Sequence, residues 1–408
     1  MIRWITNRLG TAPYDEVGRD GHFVLDVRHL VDKRGNPGEE VRAAIQAGAA
    51  AIRRGQTVVV ACDYGISRSN AIAAGVLSVV EQKPYRETIQ KVIAATGESE
   101  IKLDMVETVR IALGEKSEFS KSHSTLITGA GGFVGSHLFE NLQQTGTVCG
   151  PPRLQLDLLK GVLPLEEYCL QNSIGQIVHL AYPPVLTNAA SGPAGLQMLR
   201  AVLDVCRSLN LRLIYVSDWV VYGGYASPEL YLDEDTPLSP KGVYGDSKFL
   251  EEMLVDLYHR RGEIGRTVCR FANVYGPGGK RPRLISAFHA AALEGRRIVT
   301  HRYRNGRPAL DLLYIDDAVD ALARVVAKPV DDVFHFGTGR LSQTSEIAAQ
   351  IGHIVGRSVS HSEIDIDDDV SNIAFQSKKA REVLGWVPRV ELSDGLKAML
   401  AAKSSAQS

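Results

Sequence analysis

Three glycines spaced three residues apart constrain this chain more than any other feature of its sequence. Gly129, Gly132 and Gly135 follow a short apolar run that starts at Thr125, and a helical run comes after them. The first glycine permits a tight turn, the second lets a pyrophosphate approach the backbone, and the third lets the helix pack on the strand. The pattern therefore predicts a strand, a turn and a helix whose amino end binds a dinucleotide.

Strand-like and helical runs alternate after this turn. Examples of the strand-like runs are Gln176–Ala181, Arg212–Ser217 and Arg266–Phe271. Such alternation predicts an α/β fold with a parallel sheet covered by helices. The candidate cofactor site comprises Gly129, Gly132, Phe133, Val134, Gly135 and Ala181, with Arg153, Asp157 and Lys248 as further members.

The end of the second predicted strand bears on the choice between NAD and NADP. An acidic residue there would bind the adenosine ribose of NAD, but the stretch Val148–Arg153 contains none. Arg153 can meet a 2′-phosphate, so the sequence favours NADP, and an arginine in a solvated loop is the alternative. Asp157 is a candidate for contact with the adenine.

Tyr244 and Lys248 are the main acid–base candidates in this half of the chain. They lie four residues apart, so a helix places the phenol and the ammonium on one face. A nearby cation lowers the pKa of a phenol, which prepares Tyr244 to exchange a proton with a carbinol or a carbonyl. Lys248 can also hold the ribose of a cofactor. An exposed helical pair without a catalytic role is the alternative.

Further short motifs follow in a fixed order. They are His179-Leu-Ala181, Val221-Tyr222-Gly223, Arg270-Phe-Ala-Asn273-Val-Tyr-Gly-Pro277, Tyr314-Ile-Asp-Asp317, Phe336-Gly-Thr-Gly339 and Leu384-Gly-Trp386-Val-Pro388. From about residue 124 to 400 the chain resembles the extended short-chain dehydrogenases, the nucleotide-sugar epimerase/dehydratase family. The resemblance implies a Rossmann-type doubly wound parallel sheet with a smaller C-terminal substrate subdomain. It also implies that Asn273 and Tyr222 contact substrate, that Tyr244 with Lys248 carries the proton chemistry, and that the protein is a homodimer.

The sequence departs from this family at its catalytic serine or threonine. That position, four residues before Tyr222, is Asp218. An aspartate can accept a hydrogen bond from a sugar hydroxyl or act as a base, whereas strand alternation points the adjacent Ser217 to the other face. Trp219 and Val220 follow where the family's dehydratases carry Asp-Glu, and this argues against dehydration.

The two arginines with which this family grips a nucleotide diphosphate are also replaced. Leu310 and Ile366 stand at their positions, which removes bidentate recognition of the diphosphate. Either other arginines replace them, or the substrate is not an ordinary nucleotide sugar. The acidic run Glu363–Asp369 would repel a diphosphate if it faced the site. The candidate replacements are Arg302, Arg304 and Arg307.

A second chemistry is indicated near the N-terminus by Cys62-Asp-Tyr-Gly-Ile-Ser-Arg68-Ser69, after an apolar run. Backbone N–H groups at a helix start and a forked arginine can hold a phosphate dianion. Such donors favour the thiolate form of a cysteine, which is its nucleophilic form. Gly65 permits the turn, Arg68 opens the helix, and Ser69 can stabilise a leaving thiolate. A buried structural cysteine beside a surface arginine is the alternative.

Residues 1–113 resemble the dual-specificity protein phosphatases. The resemblance implies that Cys62 forms a cysteinyl-phosphate, that Arg68 holds the phosphate and that a general acid lies upstream. Asp32 is the first candidate because a turn-rich loop follows it, and Asp26, within a strand-like run, is the second. The family usually has histidine before the cysteine. Here it is Ala61, so reduced activity is one expectation.

At 408 residues the chain is long for one domain. We predict an N-terminal cysteine-phosphatase α/β domain at 1–114, a polar linker at 115–123 and a dehydrogenase-like domain at 124–402. The net charge of −1 gives no support for nucleic acid or an anionic membrane as a partner. No apolar run is long enough to span a bilayer. Five scattered cysteines without C-x-x-C argue against disulfides and zinc, and they suit a reducing cytoplasm.

These features together predict a bifunctional cytoplasmic enzyme of sugar metabolism without a metal. One site hydrolyses a phosphate monoester through Cys62, and the other epimerises or reduces a phosphorylated or nucleotide-linked sugar with NAD or NADP. We expect the two steps to act consecutively on one phosphorylated sugar. One alternative is that the N-terminal unit is regulatory or acts on phosphotyrosine. Another is that the dehydrogenase-like unit only senses its cofactor.

Overall fold

The computed structural model describes residues 1–18, 21–32, 36–98, 101–115, 124–144, 146–183, 191–279, 283–357 and 359–405. The strands are β1 (Arg3–Trp4), β2 (Leu9–Pro13), β3 (Phe23–Asp26), β4 (Val58–Cys62), β5 (Ser124–Thr128), β6 (Val148–Cys149), β7 (Ile174–His179), β8 (Arg212–Asp218), β9 (Leu230–Leu232), β10 (Arg266–Phe271), β11 (Asn273–Tyr275), β12 (Ile298–Tyr303), β13 (Ala309–Leu310), β14 (Leu312–Tyr314), β15 (Val333–Phe336), β16 (Ser342–Gln343), β17 (His361–Ile366) and β18 (Ile373–Phe375). The helices are α1 (Gly38–Arg53), α2 (Arg68–Glu81), α3 (Tyr85–Thr96), α4 (Leu103–Leu113), α5 (Phe133–Gln143), α6 (Val162–Gln171), α7 (Ser191–Leu209), α8 (Gly242–Arg260), α9 (Arg283–Glu294), α10 (Ile315–Ala327), α11 (Thr344–Val355), α12 (Lys378–Leu384) and α13 (Leu392–Ser405). Short 3₁₀ helices span Tyr14–Glu16, Leu158–Lys160 and Trp219–Tyr225.

The chain divides into two compact units. The first comprises Met1–Ser120 and Lys160–Gln171, and the second comprises Lys121–Leu159 and Asn172–Ser408. The first unit therefore includes α6, although this helix follows β6 in the chain. The predicted linker, 115–123, lies outside the described residues except for Glu115. The Glu115 carboxylate accepts a hydrogen bond from the backbone N–H of Tyr85 at 2.8 Å.

The first unit is built on a four-stranded sheet in the order β1-β2-β4-β3. Strands β2 and β3 run parallel to β4, and β1 runs antiparallel to β2. Every residue of β4 is buried, as its apolar sequence requires, and so are Arg68 to Ser78 at the start of α2. The loop between β4 and α2 is thus anchored at both ends in the core of this unit.

The second unit contains a six-stranded sheet in the order β15-β10-β8-β7-β5-β6. All five pairings are parallel, which confirms the predicted Rossmann-type sheet. The chain passes from β5 outward to β6 and then returns to β7 on the other side of β5. Ligands of open α/β sheets bind at such a reversal, outside the carboxyl ends of the strands.

Within the described residues, four two-stranded sheets complete the second unit. The pairs β11–β14, β12–β17 and β9–β18 are parallel, and β13–β16 is antiparallel. Aromatic packing joins the main sheet to the C-terminal segment, since Phe336 stacks on Phe271 and meets the edge of Trp386, each with ring centroids 5.0 Å apart. Among the described residues, no helix is both long and apolar enough to cross a membrane.

Candidate active sites

The loop between β4 and α2 folds back on the thiol of Cys62. Gly65, at φ +67°, donates its backbone N–H to Cys62 Sγ at 3.2 Å. A Cβ at residue 65 would lie 2.6 Å from backbone atoms of Ala12 and Pro13, so only glycine fits there. Cys62 Sγ also lies 3.4 Å from the hydroxyl oxygen of Ser69. The Gly65 N–H and the Ser69 hydroxyl thus both lie within hydrogen-bonding distance of the thiol.

Arg68 is the charged centre of this loop. It is 8% exposed, and its Nη1 donates to the carbonyl oxygens of Arg28 at 3.0 Å and Leu30 at 2.9 Å. Its Nη2 donates to Asp63 at 2.5 Å, and its Nε lies 3.3 Å from Asp32 Oδ2. Burial opposes the charge of Arg68, but Asp63 and Asp32 outweigh it and raise the pKa of this guanidinium. The structure thus brings Asp32 to the arginine that was predicted to hold phosphate.

Asp32 and Asp26, the two candidates for the general acid, differ in their surroundings. Asp32 Oδ1 is buried and has no hydrogen-bond partner among the described residues. Asp26, by contrast, accepts from the Arg28 side chain at 2.8 Å and from its backbone N–H at 3.0 Å. The hydrogen bond from the Arg28 side chain lowers the pKa of Asp26, which keeps that carboxyl ionised. Of the two, only Asp32 lies beside Arg68.

The glycine-rich turn of the second unit has the close contacts that its sequence predicts. Gly129 has φ +77°, and a Cβ there would lie 2.7 Å from the backbone nitrogen of Ala181. A Cβ on Gly135 would collide with the carbonyl group of Gly129, so the helix packs closely on the turn. A Cβ on Gly131 would meet no atom within 4 Å. The backbone at residue 131 therefore faces open space that a ligand can fill.

A cavity of about 390 Å³ adjoins this turn. Five of the candidate cofactor residues line it, namely Gly129, Gly132, Arg153, Asp157 and Ala181. Arg153 Nε lies 3.2 Å from Asp157 Oδ2, so these two side chains are ion-paired within the lining. Asp157, predicted to contact the adenine, and Arg153, predicted to contact a 2′-phosphate, are therefore paired with each other.

Phe133, Val134 and Gly135 were predicted in the same site but have other surroundings. Gly135 packs under the turn, and Val134 lines a second cavity. The Phe133 ring lies edge-on to His137, with centroids 5.5 Å apart, and lines neither cavity. Its side chain is thus not among the lining residues of the cavity beside the glycine-rich turn.

The second cavity, of about 310 Å³, brings together four side chains predicted for catalysis or substrate binding in this unit. Asp218 at the end of β8, Tyr244 and Lys248 on α8, and Asn273 at the start of β11 all line it. The two cavities share Leu180 and Tyr182 in their linings. A group bound in the glycine-lined cavity can therefore reach a substrate in this one.

Tyr244 and Asp218 form a hydrogen-bonded pair in this cavity. The Tyr244 hydroxyl donates to Asp218 Oδ2 at 2.7 Å, and the Val220 N–H donates to Oδ1 at 2.9 Å. Burial raises the pKa of Asp218, although this hydrogen bond and the charge of Lys248 oppose the effect. Burial and the neighbouring Asp218 carboxylate raise the pKa of Tyr244 well above its usual value. The sequence predicted a lowered pKa for Tyr244. That prediction is wrong for this arrangement, because the charged group nearest the phenol is the Asp218 carboxylate.

Comparisons with known proteins agree with this geometry. The sequence profile described as "NAD dependent epimerase/dehydratase family" matches residues 125–336, just over half of the chain. The chain belongs to this family.

Two relatives and one solved structure illustrate the similarity. A Bacillus subtilis (strain 168) protein named an uncharacterized UDP-glucose epimerase is 28% identical over 69% of this chain and 98% of its own length. UDP-glucuronic acid decarboxylase 5 of Arabidopsis thaliana is 28% identical over 69% of this chain and 90% of its own. The structure of UDP-glucuronic acid 4-epimerase from Bacillus cereus, in complex with UDP-glucuronic acid and NAD, covers 69% of this chain and 99% of that one. Its TM-score is 0.59 at 21% identity, so it supports the fold alone.

Tyr222 was predicted to contact substrate, and the structure corrects this. Its side chain is fully buried and lies outside the linings of both cavities. Its hydroxyl oxygen accepts from Arg270 Nη1 at 2.5 Å and lies 3.0 Å from His335 Nε2. Arg270 in turn is ion-paired with the buried Glu252 at 2.7 Å. The 3₁₀ helix after Asp218 turns Tyr222 into this network, where it is structural.

The arginines suggested as a replacement diphosphate grip are also paired internally. Arg302 and Arg307 both contact Glu363, at 2.7 Å and 2.5 Å. Arg304 lies 3.4 Å from Asp369. The acidic run thus neutralises these arginines. Asp368 and Asp369 also line a cavity of about 260 Å³, which shares two lining residues, at 219 and 220, with the catalytic cavity.

Three residues near Lys248 were missed by sequence reasoning. Glu251 lies 3.1 Å from Lys248 Nζ, and the Tyr215 hydroxyl oxygen lies 3.0 Å from it. Tyr182 meets Tyr244 edge-on, with ring centroids 5.3 Å apart. The spacing of Glu251, three residues after Lys248 on a helix, is a signal that could have identified it. No sequence signal points to the other two.

Proposed function

We propose that the second unit is an NAD(P)-dependent enzyme that epimerises or reduces a nucleotide-linked or phosphorylated sugar. The observation that carries this proposal is the convergence of Asp218, Tyr244, Lys248 and Asn273 on a cavity that joins a glycine-lined one. The open backbone at Gly131 fits a pyrophosphate beside the amino end of α5. When a nicotinamide dinucleotide is bound there, it supplies the redox chemistry: it can accept a hydride from the sugar and return it.

The residues of the chain supply the proton steps. Tyr244 carries a protonated phenol, which can donate its proton to a carbonyl oxygen of the sugar. In the opposite direction, the phenol takes the carbinol proton as its own moves to Asp218, 2.7 Å away. Asn273 can hold a sugar hydroxyl. Dehydration has no acid–base support at Trp219 and Val220, which follow Asp218.

The test uses UDP-glucose and UDP-glucuronic acid, the sugars named for the relatives, with NAD or NADP and product analysis by NMR. We expect epimerised or reduced product from the intact chain and a loss of about 10²–10⁴-fold in Tyr244→Phe. Tyr231→Phe is the matched control, because that tyrosine is 44% exposed and bonds to Glu229. Unchanged turnover in Tyr244→Phe contradicts the assignment.

We propose NADP as the preferred dinucleotide. Arg153 lines the cofactor cavity, and its side chain is 66% exposed there. A 2′-phosphate can compete with Asp157 for this guanidinium. Fluorescence titration with both dinucleotides tests the preference. Arg153→Ala should weaken NADP alone, and tighter binding of NAD by the intact chain contradicts the preference.

For the first unit, we propose hydrolysis of a phosphate monoester. The carrying observation is the approach of Asp32 to Arg68 beside the enclosed Cys62 thiol. The thiolate attacks phosphorus and forms an S–P bond as the P–O bond breaks, and Asp32 protonates the leaving oxygen. Water then gives a proton to Asp32 and attacks phosphorus as the S–P bond breaks, which releases inorganic phosphate and restores both the thiolate and the acid. Joined to the sugar chemistry, this makes a bifunctional enzyme.

Hydrolysis of p-nitrophenyl phosphate tests this second activity. Cys62→Ser should abolish it, and Cys149→Ser, at a partly exposed cysteine, should not. If the intact chain binds inorganic phosphate but hydrolyses nothing, the regulatory alternative replaces the phosphatase. Turnover of a phosphopeptide in preference to sugar phosphates would instead favour a protein-tyrosine phosphatase.

We also propose a homodimer in a reducing cytoplasm. Helix α8 exposes Val243, Leu250, Met253 and Leu257, at 40–51% each, as one apolar stripe at helical spacing. All five cysteines are free thiols. Light scattering should give a dimer mass for the chain and a monomer mass for Leu250→Lys.

A further inference from the structure

The catalytic cavity carries a carboxylate at a position where the family carries a neutral hydroxyl. Asp218 stands in place of the family's serine or threonine, and it lines the cavity together with Tyr244 and Lys248. A hydroxyl can donate or accept a hydrogen bond, whereas an ionised carboxylate only accepts and adds a full negative charge. The replacement therefore changes the charge of the cavity as well as its hydrogen bonding.

The backbone fixes the place of Asp218 in the second unit. Asp218 is the last residue of β8, where it pairs with Phe271 of β10 in parallel register. It is also the N-cap of the 3₁₀ helix Trp219–Tyr225, and the Val220 N–H donates to its Oδ1 at 2.9 Å. The strand end and the helix cap together hold the carboxylate at the wall of the cavity.

The surroundings of Asp218 favour its ionised form. Burial raises the pKa of this carboxyl, but the hydrogen bonds from Tyr244 and Val220 and the charge of Lys248 act in the opposite direction. Each carboxylate oxygen accepts one of these two hydrogen bonds. Hydrogen bonds to the charged form stabilise it. A substrate in the cavity therefore meets a carboxylate and not a carboxylic acid.

Lys248 does not bring the cavity to a positive charge. It is the charged residue that shares the described lining of this cavity with Asp218. Directly behind it on α8 lies Glu251, which is 1% exposed and 3.1 Å from Lys248 Nζ. One ammonium thus faces two carboxylates. This excess of negative charge is the same whichever of the two carboxylates the lysine contacts.

The neighbouring groups do not offset this excess. Glu252 and Arg270 are paired with each other at 2.7 Å. His179 is uncharged at neutral pH because burial lowers its pKa to about 3. The adjoining cavity of about 260 Å³ is lined by Asp368 and Asp369 together with one lysine. A negative group that extended past the catalytic cavity on this side would again meet more carboxylates than cations.

We infer that Asp218 is a specificity-determining residue that selects sugars without a carboxylate and rejects uronic acids. The inference rests on the function proposed for the second unit. A uronate in a cavity of about 310 Å³ would bring its carboxylate within several ångströms of Asp218. Salt screens such a buried repulsion much less than one in open solvent. Two similar proteins are named for UDP-glucuronic acid, so Asp218 would separate the substrate class of this chain from theirs.

The test compares UDP-glucose with UDP-glucuronic acid, which differ only in whether carbon 6 is a hydroxymethyl group or a carboxylate. The nucleotide and the diphosphate are the same in both ligands, so their contributions to binding cancel. Isothermal titration of the intact chain, with NAD or NADP present, should show UDP-glucose bound about 10- to 100-fold more tightly. Glucose 1-phosphate and glucuronic acid 1-phosphate repeat the comparison for a phosphorylated sugar.

Asp218→Asn keeps the shape of the side chain and removes its charge. The affinity for UDP-glucuronic acid should rise by about tenfold, whereas the affinity for UDP-glucose should change little. A merely structural role of Asp218 would weaken both ligands alike. Asp246→Asn, at an exposed position on α8, is the matched control and should keep the wild-type ratio. If Asp218→Asn does not fold, Asp218→Ser, which restores the hydroxyl of the family, decides the matter.

Three results would overturn the inference. One is equal affinity of the intact chain for both members of a pair, and another is binding of neither uncharged ligand. The third is an unchanged ratio of affinities in whichever Asp218 variant folds. Failure of the proposed function is distinct, because the uncharged sugar would then bind with the expected preference but would not be turned over with NAD or NADP.

Discussion

The Cys62 loop and the Tyr244 cavity organise charge in opposite ways. In the Cys62 loop, Arg68 faces two carboxylates, Asp63 and Asp32, and a bound dianion would compete with both. In the Tyr244 cavity the cation, Lys248, is paired with Glu251, and a phenol faces a carboxylate at 2.7 Å. The first site thus pairs a cation with two carboxylates, whereas the second pairs a hydroxyl donor with one carboxylate.

The largest effect should come from Arg68→Lys. An ammonium cannot supply the planar fork that holds a phosphoryl group, so kcat for aryl phosphate hydrolysis should fall by about 10²–10³. Steady-state kinetics with p-nitrophenyl phosphate measure it, with Arg86→Lys on the exposed face of α3 as the control. If the activity of Arg68→Lys stayed within a few-fold of wild type, a positive charge alone would suffice to hold the phosphoryl group. The contrast between the Cys62 loop and the Tyr244 cavity would then lose its first half.

Asp218→Asn should have the next largest effect. The amide keeps the shape of the carboxylate but cannot take a proton, so kcat for sugar turnover should fall by about 10² while KM changes little. Asp246→Asn, at an exposed position two residues after Tyr244, is the matched control. An unchanged kcat would mean that the proton leaves Tyr244 by another route.

His179 gives a pH-dependent prediction for the second unit. Burial lowers its pKa to about 3, whereas an unfolded histidine titrates near 6.5. Between these values the unfolded chain binds the proton and the folded chain does not, so stability falls as pH decreases through the window, by about 1.4 kcal/mol per pH unit. Urea denaturation at several pH values should show a shallower slope in His179→Asn than in wild type. The exposed control His361→Asn should keep the wild-type slope. Equal slopes in all three proteins would argue against the buried neutral histidine.

Asp63→Asn should give the smallest effect, and it sharpens the contrast between the sites. Removing a half-exposed competitor for Arg68 should lower KM for p-nitrophenyl phosphate by about 3- to 5-fold, which corresponds to under 1 kcal/mol, with kcat little changed. The exposed Asp15→Asn serves as the reference. A raised KM would mean that Asp63 helps to orient the arginine rather than to occupy it.

The sequence predicted the Cys62 loop in more detail than the Tyr244 cavity, and chain separation explains why. One short segment contains the end of β4 at Cys62, the turn at Gly65 and the start of α2 at Arg68. The local backbone geometry of that segment determines the loop. The sequence also placed Gly129 and Gly135 correctly, for the same reason. Within α8, however, the spacing of Tyr244 and Lys248 does not determine which residues form hydrogen bonds with them.

Long-range partners account for the other differences. The parallel register of β12 and β17 pairs Arg302 with Asp365 across the ladder and brings Glu363 to two arginines. Two strands about 60 residues apart carry no local signal of that register. The burial of Tyr222 likewise depends on Arg270 and His335, from two other strands. Contacts of this kind depend on how distant segments pack in the core, and the short motif that contains the residue does not determine them.

The grouping of α6 with the first unit matters for anyone who wishes to express the two halves separately. This helix buries Leu163, Leu165 and Cys169, yet it is encoded after the glycine-rich turn of the second unit. A fragment that stops at residue 115 would lack it. A fragment that starts at residue 124 would carry it without the unit to which it belongs. We expect both fragments to be less soluble than the intact chain, so mixing experiments need the helix supplied in trans or grafted onto the first fragment.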